Sequence, residues 1–316
     1  MYFSLVAYRC TFEALEAVSF APGTAGNAFR GAFGALFRRV AGAPVYASFF
    51  EPSSASGPSG LANAPRPFVI RAAALEGREI PAGGQFSIDV HVFDLKEPAL
   101  QYLVAAFTQL AREGIGSRRA RVLLRGVHTV DRERNPDACV YQDERLQEGR
   151  PEPLVLPLAP DAGPVSQVAV RFLTPTELKG AGGIVPEPAF GILFARVRDR
   201  ISTLRRLYGE GALEIDFRSM AARAGRVRMT ASRLEWESYR RRSSRTGQVH
   251  PLGGFTGEAW YEGDLAEFTP FLRAAYWTGV GRQTVWGKGA ISITTGKLVQ
   301  EDVKGHYGSD SGAFGT

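Results

Sequence analysis

The spacing of apolar positions changes within the first forty residues, and the change separates a strand from a helix. Residues 2–10, "YFSLVAYRC", are dense in aromatic and β-branched side chains and predict an opening strand. Over residues 27–40 the apolar positions are Ala28, Phe29, Ala32, Phe33, Leu36, Phe37 and Val40, one face of a helix. Gly31 and Gly34 inside that helix each cost about 1 kcal/mol relative to Ala. They mark either a close approach or tight packing. Strands are predicted at 68–72, 85–93 and 120–127, with a helix at 98–112. Residues 53–64, "SSASGPSGLANA", read as a flexible loop.

The second half repeats the pattern. A strand at 166–173 leads to the clearest helix of the chain, 190–208. Phe190, Leu193, Phe194, Val197, Ile201, Leu204 and Leu207 form its apolar stripe, and Arg196, Arg198, Arg200, Arg205 and Arg206 lie mostly on the other faces. Strands at 226–236 and 255–262 flank the arginine run "YRRRSSR", and a helix covers about 265–278. Two stretches share one order of parts: strand, Asp-Leu, helix, Gly-x-Gly, basic strand. Asp94-Leu95 corresponds to Asp264-Leu265, and Gly114 and Gly116 correspond to Gly279 and Gly281. The repeat predicts an α+β protein of two tandem ferredoxin-like (RRM-like) domains with a basic cleft between them. The expected boundaries are a first domain at 1–130, an acidic, proline-dotted linker at 131–165, a second domain at 166–304 and a tail at 305–316.

Charge narrows the choice of partner. The 316 residues carry a formal net charge of +6, with 33 Arg and only 5 Lys among the 38 basic residues. GC-rich codon usage explains part of that skew, but not its clustering. Nine arginines and two acids fall between Arg218 and Arg245, whereas residues 130–148 hold six acids and three arginines. Guanidinium forks bind phosphate bidentately and stack on bases, so a polyanionic partner is expected. No window approaches eighteen apolar residues, and the N-terminus reads as a strand rather than a signal peptide. A cytoplasmic protein with no membrane partner is expected, and Cys10 and Cys139 read as idle thiols.

The stretch "TGVGRQTVWGKGAISI" looks like a phosphate cradle but fails both nucleotide patterns. Gly279 and Gly281 are followed next by Gly287, not by the third glycine of a dinucleotide fingerprint. Gly289 stands where a P-loop needs its hydroxyl. No nucleotide cofactor is expected, and no metal or other cofactor either.

"SRTGQVHPLGGFTGEAWYEGDLAEFTPFLRAAYWTGVGRQTVWGKGAISI", together with "AFRGAFGALFRRV", "RPFVIR" and "EGIGSRRARVLL", resembles the CRISPR-associated repeat-RNA endoribonucleases of the RAMP superfamily. The resemblance implies two ferredoxin-like domains gripping CRISPR repeat RNA. It implies metal-independent cleavage of precursor crRNA, in which a ribose 2′-OH attacks the adjacent phosphate and leaves 2′,3′-cyclic phosphate and 5′-OH ends. Other CRISPR effector subunits are implied as further partners. Many relatives carry a catalytic His in the first helix, in the pattern Arg-Gly-Ala-Phe-Gly-His. Here Arg30, Gly31, Ala32, Phe33 and Gly34 match, and Ala35 takes the place of the His.

That departure reopens the catalytic assignment. Arg30 and Arg38 on the first helix suit stabilisation of phosphorane charge, with Tyr46 or Tyr8 as proton carriers. His250 sits between the arginine run and the Gly253-Gly254 strand, while His91, His128 and His306 read as structural. Arg39, Arg240, Arg241, Arg242, Arg245, Arg282 and Lys288 are the expected phosphate contacts. Gly279, Gly281, Gly287 and Gly289 are expected to let an RNA backbone approach, and Trp286 either stacks on a base or fills a sheet edge. Two readings stand: a nuclease with a non-histidine or displaced-histidine site, and a non-cleaving subunit that holds the crRNA 3′ handle in an effector complex. A RAMP-type backbone subunit is a third, more distant one.

Overall fold

A computed structural model describes residues 1–52, 64–96, 99–116, 118–238, 240–242, 249–251 and 253–296. The first unit runs strand Tyr2–Ala14, helix Ala25–Phe50, strands Phe68–Arg71 and Gln85–Val92, helix Ala99–Glu113 and strand Val122–Val130. Its sheet places Phe68–Arg71 beside Gln85–Val92, then Tyr2–Ala14, then Val122–Val130, every pair antiparallel. The second unit runs Gln167–Thr176, helix Phe190–Tyr208, helix Phe217–Ala224, Arg228–Glu237, Gly254–Glu262, helix Thr269–Thr278 and Ile291–Thr295. Its strands adopt the same order, second–third–first–fourth. Both units are therefore ferredoxin-like, in the tandem α+β arrangement that the repeat predicts.

The repeat's glycines explain themselves. Gly114 and Gly116 in one unit, and Gly279 and Gly281 in the other, all have positive φ, the region that glycine enters without steric cost. Each pair turns the chain from the second helix of its unit toward the closing strand. Residues 131–165 hold more structure than their composition suggests. Strands Pro136–Gln142 and Arg145–Leu146 extend the first sheet, and Leu154–Pro157 pairs with Tyr2–Leu5 at the start of the opening strand.

Alternation along the opening strand sets the relation between the two units. Tyr8, Cys10, Phe12 and Ala14 point into the core under the first unit's helices. Phe3, Leu5 and Ala7, on the opposite face, join the second unit's core with Val69 and Phe93. The first sheet is thus covered by its own helices on one side and by the second unit on the other. Residues Phe3–Tyr8 are buried without a break for that reason, whereas Arg9, Thr11 and Glu13 beyond them are only half-buried.

The first helix breaks at Gly42, with φ +75°, and Pro44 starts a second helical run. That reversal folds Phe49 and Phe50 back onto Phe33 and Phe37; the Phe37 and Phe49 rings stack with centroids 5.0 Å apart. The 27–40 prediction covers the first run and misses the second. Helix Phe217–Ala224 was also not anticipated. Asp216 caps it, its carboxylate accepting from the Arg218 and Ser219 amides at 3.0 Å each. Among the described residues, no helix is long and apolar enough to cross a membrane.

Candidate nucleic-acid interface

The reversal at Gly42 brings three of the four proposed catalytic side chains into one stack. The Arg30 guanidinium lies 5.6 Å from the Phe50 ring centroid. Phe50 stacks on Tyr46 with centroids 4.9 Å apart and planes 7° from parallel. The Arg38 guanidinium lies 5.4 Å above the Tyr46 ring. At the other end Arg30 reaches Trp286 of the second unit, 5.7 Å from its ring centroid. A ladder of guanidinium and aromatic groups therefore runs from the glycine loop along the first helix. Its arginines lie against ring faces, which orients these cations at the junction.

The glycine loop is shaped by close approaches within the protein. A Cβ on Gly26 of the first helix would sit 2.4 Å from the Trp286 carbonyl oxygen, so the two backbones meet there. Val285 enters the first unit's core, and Trp286 packs against it. Within the loop, Val280 donates to the Gly289 carbonyl at 2.9 Å, and Arg282 donates its amide to Glu177 at 3.1 Å. A Cβ on Gly281 would lie 2.4 Å from the Glu177 carbonyl oxygen, and one on Gly289 would lie 1.9 Å from that of Val280. Gly279 and Gly287 also have positive φ. Backbone bonds hold the loop to the second unit, and Val285, Trp286 and the approach to Gly26 dock it against the first.

The remaining candidates are dispersed. Arg39 pairs with Glu113, and Arg282 pairs with Glu177. Arg240, Arg241 and Arg242 form a short strand paired with residues 249–251, with Arg241 opposite His250. The side chains of that hairpin, together with Arg245 and His306, lie outside the described residues. Tyr8 is buried in the first core, and desolvation pushes its hydroxyl up to about 12. His128 is half-buried beside Arg9 on the neighbouring strand. Ala35 is exposed and lines a groove of about 510 Å³ with Ala28, Ala32, Leu36, Arg39 and Arg119.

Two groupings at the junction are not predicted by the sequence, although His91, Trp286 and Lys288 are named there individually. The first closes the end of helix Thr269–Thr278. Arg71 donates to the Tyr276 carbonyl at 2.9 Å, His91 Nδ1 to Trp277 at 2.8 Å, and Arg200 to Thr278 at 2.8 Å. Three last-turn carbonyls, the negative end of the helix, are thereby satisfied by two side chains of the first unit and one of the second. Loss of water around the guanidinium lowers Arg71 to about 10 and Arg200 to about 9, so both stay charged at neutral pH. Burial, and then the Arg71 charge, hold His91 down at about 4. The second group surrounds Lys288 in a junction pocket of about 220 Å³, where Glu76, Glu237, Asn27 and Trp286 share the walls. No local sequence pattern marks either group, because each draws its members from strands and loops distant along the chain.

Paired ferredoxin-like units joined by an arginine–aromatic junction define the class of protein: a tandem RRM-like protein. Residues 170–291 match the family model described as CRISPR-associated endoribonuclease Cas6, and residues 3–154 match a family model described as an N-terminal domain. The second half of the chain therefore carries the domain of the CRISPR-associated endoribonuclease family. Among solved structures, a Thermus thermophilus Cas6 in a product complex superposes with a TM-score of 0.53 at 19% identity, covering 92% of this chain and 99% of that one. A second Cas6 product complex gives a TM-score of 0.51 at 21% identity over 92% and 100%. A partial Cas6-RT-Cas1–Cas2 complex gives 0.55 at 11% identity over 93% of this chain and 46% of that one. These likenesses establish the shared fold. No curated protein sequence matches significantly.

Proposed function

We propose that this protein binds CRISPR repeat RNA and cuts precursor crRNA without a metal ion, a ribose 2′-OH attacking the adjacent phosphate to leave 2′,3′-cyclic phosphate and 5′-OH ends. The family domain in the second half supports the RNA-processing role. The observation that carries the site is the Trp286–Arg30–Phe50–Tyr46–Arg38 ladder. Arg30 lies where the two units meet and suits the phosphorane charge. Arg38, held over Tyr46, suits the neighbouring phosphate. The hairpin of Arg240, Arg241, Arg242 and His250 adds basic groups for the flanking RNA, and Arg282 and Lys288 add two more from the glycine loop.

Guanidinium is a poor base and a poor acid near neutral pH, so Arg30 and Arg38 stabilise charge and transfer no proton. One observation favours the second reading, a non-cleaving holder of the crRNA 3′ handle. Ala35 stands in the first-helix position where the resembling pattern has its His, and the described residues that line the groove beside it include no histidine. A single experiment separates the two. Purified protein is incubated in EDTA with the repeat RNA of its own locus, and the products are resolved by end-group analysis. Cyclic-phosphate ends support the nuclease; tight binding with the RNA left intact refutes it. The Cas6-RT-Cas1–Cas2 likeness supports further CRISPR proteins as partners, which co-purification from the native host checks.

A further inference from the structure

The proposed reaction needs an acid for the leaving oxygen and a base for the attacking hydroxyl, and the arginine ladder supplies neither. The junction pocket does hold groups of that kind. Its walls come from both units: Glu76 and Asn27 from the first, Thr174, Glu237 and Lys288 from the second. Lys288 is only 6% exposed, although it lines this pocket, whereas Lys96 and Lys179 are exposed on the surface. The backbone on either side of it is pinned. Thr174 Oγ1 donates to the Gly287 carbonyl at 2.9 Å and accepts from the Ala290 amide at 2.9 Å. The Gly289 amide donates to Pro175 at 3.1 Å. A lysine fixed in this way is held in place before any ligand arrives.

The two carboxylates have different duties. One Glu76 oxygen already accepts from the Thr24 and Ala25 amides, at 2.9 and 3.3 Å, at the start of the first helix. That makes it a helix cap. Glu237 is oriented by Thr256, whose hydroxyl donates to Oε1 at 2.6 Å, and it faces the pocket just before the arginine hairpin. Trp286, which carries Arg30 on its ring, lines the same pocket, so positive charge for the phosphate is adjacent.

We infer that Lys288 is the general acid of the cleavage proposed above and that Glu237 is its base. In the step, the 2′-OH proton passes to the Glu237 carboxylate while the 2′-oxygen forms its bond to phosphorus. The bond from phosphorus to the 5′-oxygen breaks, and that oxygen takes its proton from the Lys288 ammonium. The neutral amine and the carboxylic acid then exchange protons with water, which restores both groups. Burial lowers the ammonium's pKa, while the charges of Glu76 and Glu237 act in the opposite direction. A desolvated lysine of this kind releases its proton more readily than a surface one.

The inference rests on the nuclease reading, and the test keeps the two apart. Repeat RNA is prepared in two forms, one natural and one with sulfur replacing the 5′-bridging oxygen at the scissile phosphate. Sulfur leaves without being protonated. Lys288→Met should slow single-turnover cleavage of the natural RNA by about 10²–10⁴-fold, and cleavage of the sulfur substrate by less than about tenfold. Lys288→Arg keeps the charge but cannot give up a proton, so it should behave like Lys288→Met. Glu237→Gln should slow both substrates. Far-ultraviolet circular dichroism and a thermal melt close to wild type show that each variant is folded. Equal slowing of both substrates by Lys288→Met, or no slowing of either, overturns the assignment. If the wild-type protein binds both RNAs and cuts neither, the nuclease reading falls and this assignment falls with it.

Discussion

His91 donates from Nδ1 to the Trp277 carbonyl oxygen 2.8 Å away and ties the first sheet to the end of a helix in the second unit. The ring is fully buried. Burial lowers its pKa to about 4; Arg71 and Arg9 act in the same direction, and Asp89 and the Trp277 carbonyl oppose them. The sign follows from the unfolded chain, in which histidine titrates near 6.5. Between pH 6.5 and 4 the unfolded chain takes up a proton that the folded protein refuses. Stability from this group is therefore complete above pH 6.5 and declines as the pH falls toward 4, by on the order of 3 kcal/mol. Denaturant titrations at pH 7 and pH 5 should show that loss in the wild type. His91→Gln keeps a donor for Trp277 without the titration and should show a flatter dependence. Equal slopes would assign the loss to other groups.

The glycines of the first helix give a second test. A Cβ on Gly31 would meet nothing within 4 Å, so Gly31→Ala should stabilise the protein by up to about 1 kcal/mol. On Gly34 the new carbon would come 3.1 Å from the Phe50 ring, and on Gly26 it would come 2.4 Å from the Trp286 carbonyl oxygen. Gly26→Ala should cost about 1–3 kcal/mol, because the obstacle is backbone of the other unit rather than a side chain that can turn. Thermal melts of the three variants should rank Gly31→Ala above wild type and Gly26→Ala lowest.

What the sequence discloses follows from the range of the interactions. Helix Phe190–Tyr208 matches its apolar stripe end to end, and helices Ala99–Glu113 and Thr269–Thr278 lie where periodicity places them. The Asp-Leu and Gly-x-Gly correspondence predicts both ferredoxin-like units because each part is local. The second run of the first helix is hidden by Gly42 and Pro44, which read as a stop. Residues 136–142 and 154–157 are strands only because an edge of the first sheet receives them. The site divides in the same way. Arg30 and Arg38 are legible as basic residues on a helix, but their stacking with Tyr46 depends on the chain's reversal. Lys288 reads as one more phosphate contact, and its burial in a pocket that Glu76 and Glu237 also line has no local signal.

The arginine hairpin gives a test that is independent of cleavage. Each phosphate neutralised on single-stranded RNA contributes about 0.7 to the slope of log affinity against log salt. Replacing Arg240, Arg241 and Arg242 together by Ala should reduce that slope by about 2 if each holds one phosphate. Affinity should drop most at low salt. Filter binding of repeat RNA across a salt series measures both effects. An unchanged slope would place the RNA elsewhere on the protein.

The stack between Tyr46 and Arg38 separates two duties of one side chain. With Phe50 on one face and the Arg38 guanidinium over the ring, Tyr46 serves as a support that aims a cation. Tyr46→Phe keeps the ring and should cleave repeat RNA within about threefold of wild type. Tyr46→Ala removes the support and should be about tenfold slower or worse, with both rates measured in single turnover. A Tyr46→Phe variant as slow as Tyr46→Ala would show that the hydroxyl itself moves a proton, and the assignment of the proton carriers would then have to change.

Arg30 should be the arginine least replaceable by lysine. Its guanidinium lies 5.6 Å from the Phe50 ring centroid and 5.7 Å from that of Trp286, with one aromatic contributed by each unit. A planar, weakly hydrated guanidinium fits between ring faces, whereas an ammonium has neither the shape nor the fork. Arg30→Lys keeps the charge but loses that geometry. If Arg30 holds charge that develops only in the transition state, the variant should lose about 10²-fold or more in the single-turnover rate while its RNA affinity stays within a few-fold. An equal loss in affinity and rate would mean that Arg30 grips the ground-state phosphate instead. Full activity in Arg30→Lys would remove the ladder from the chemistry altogether.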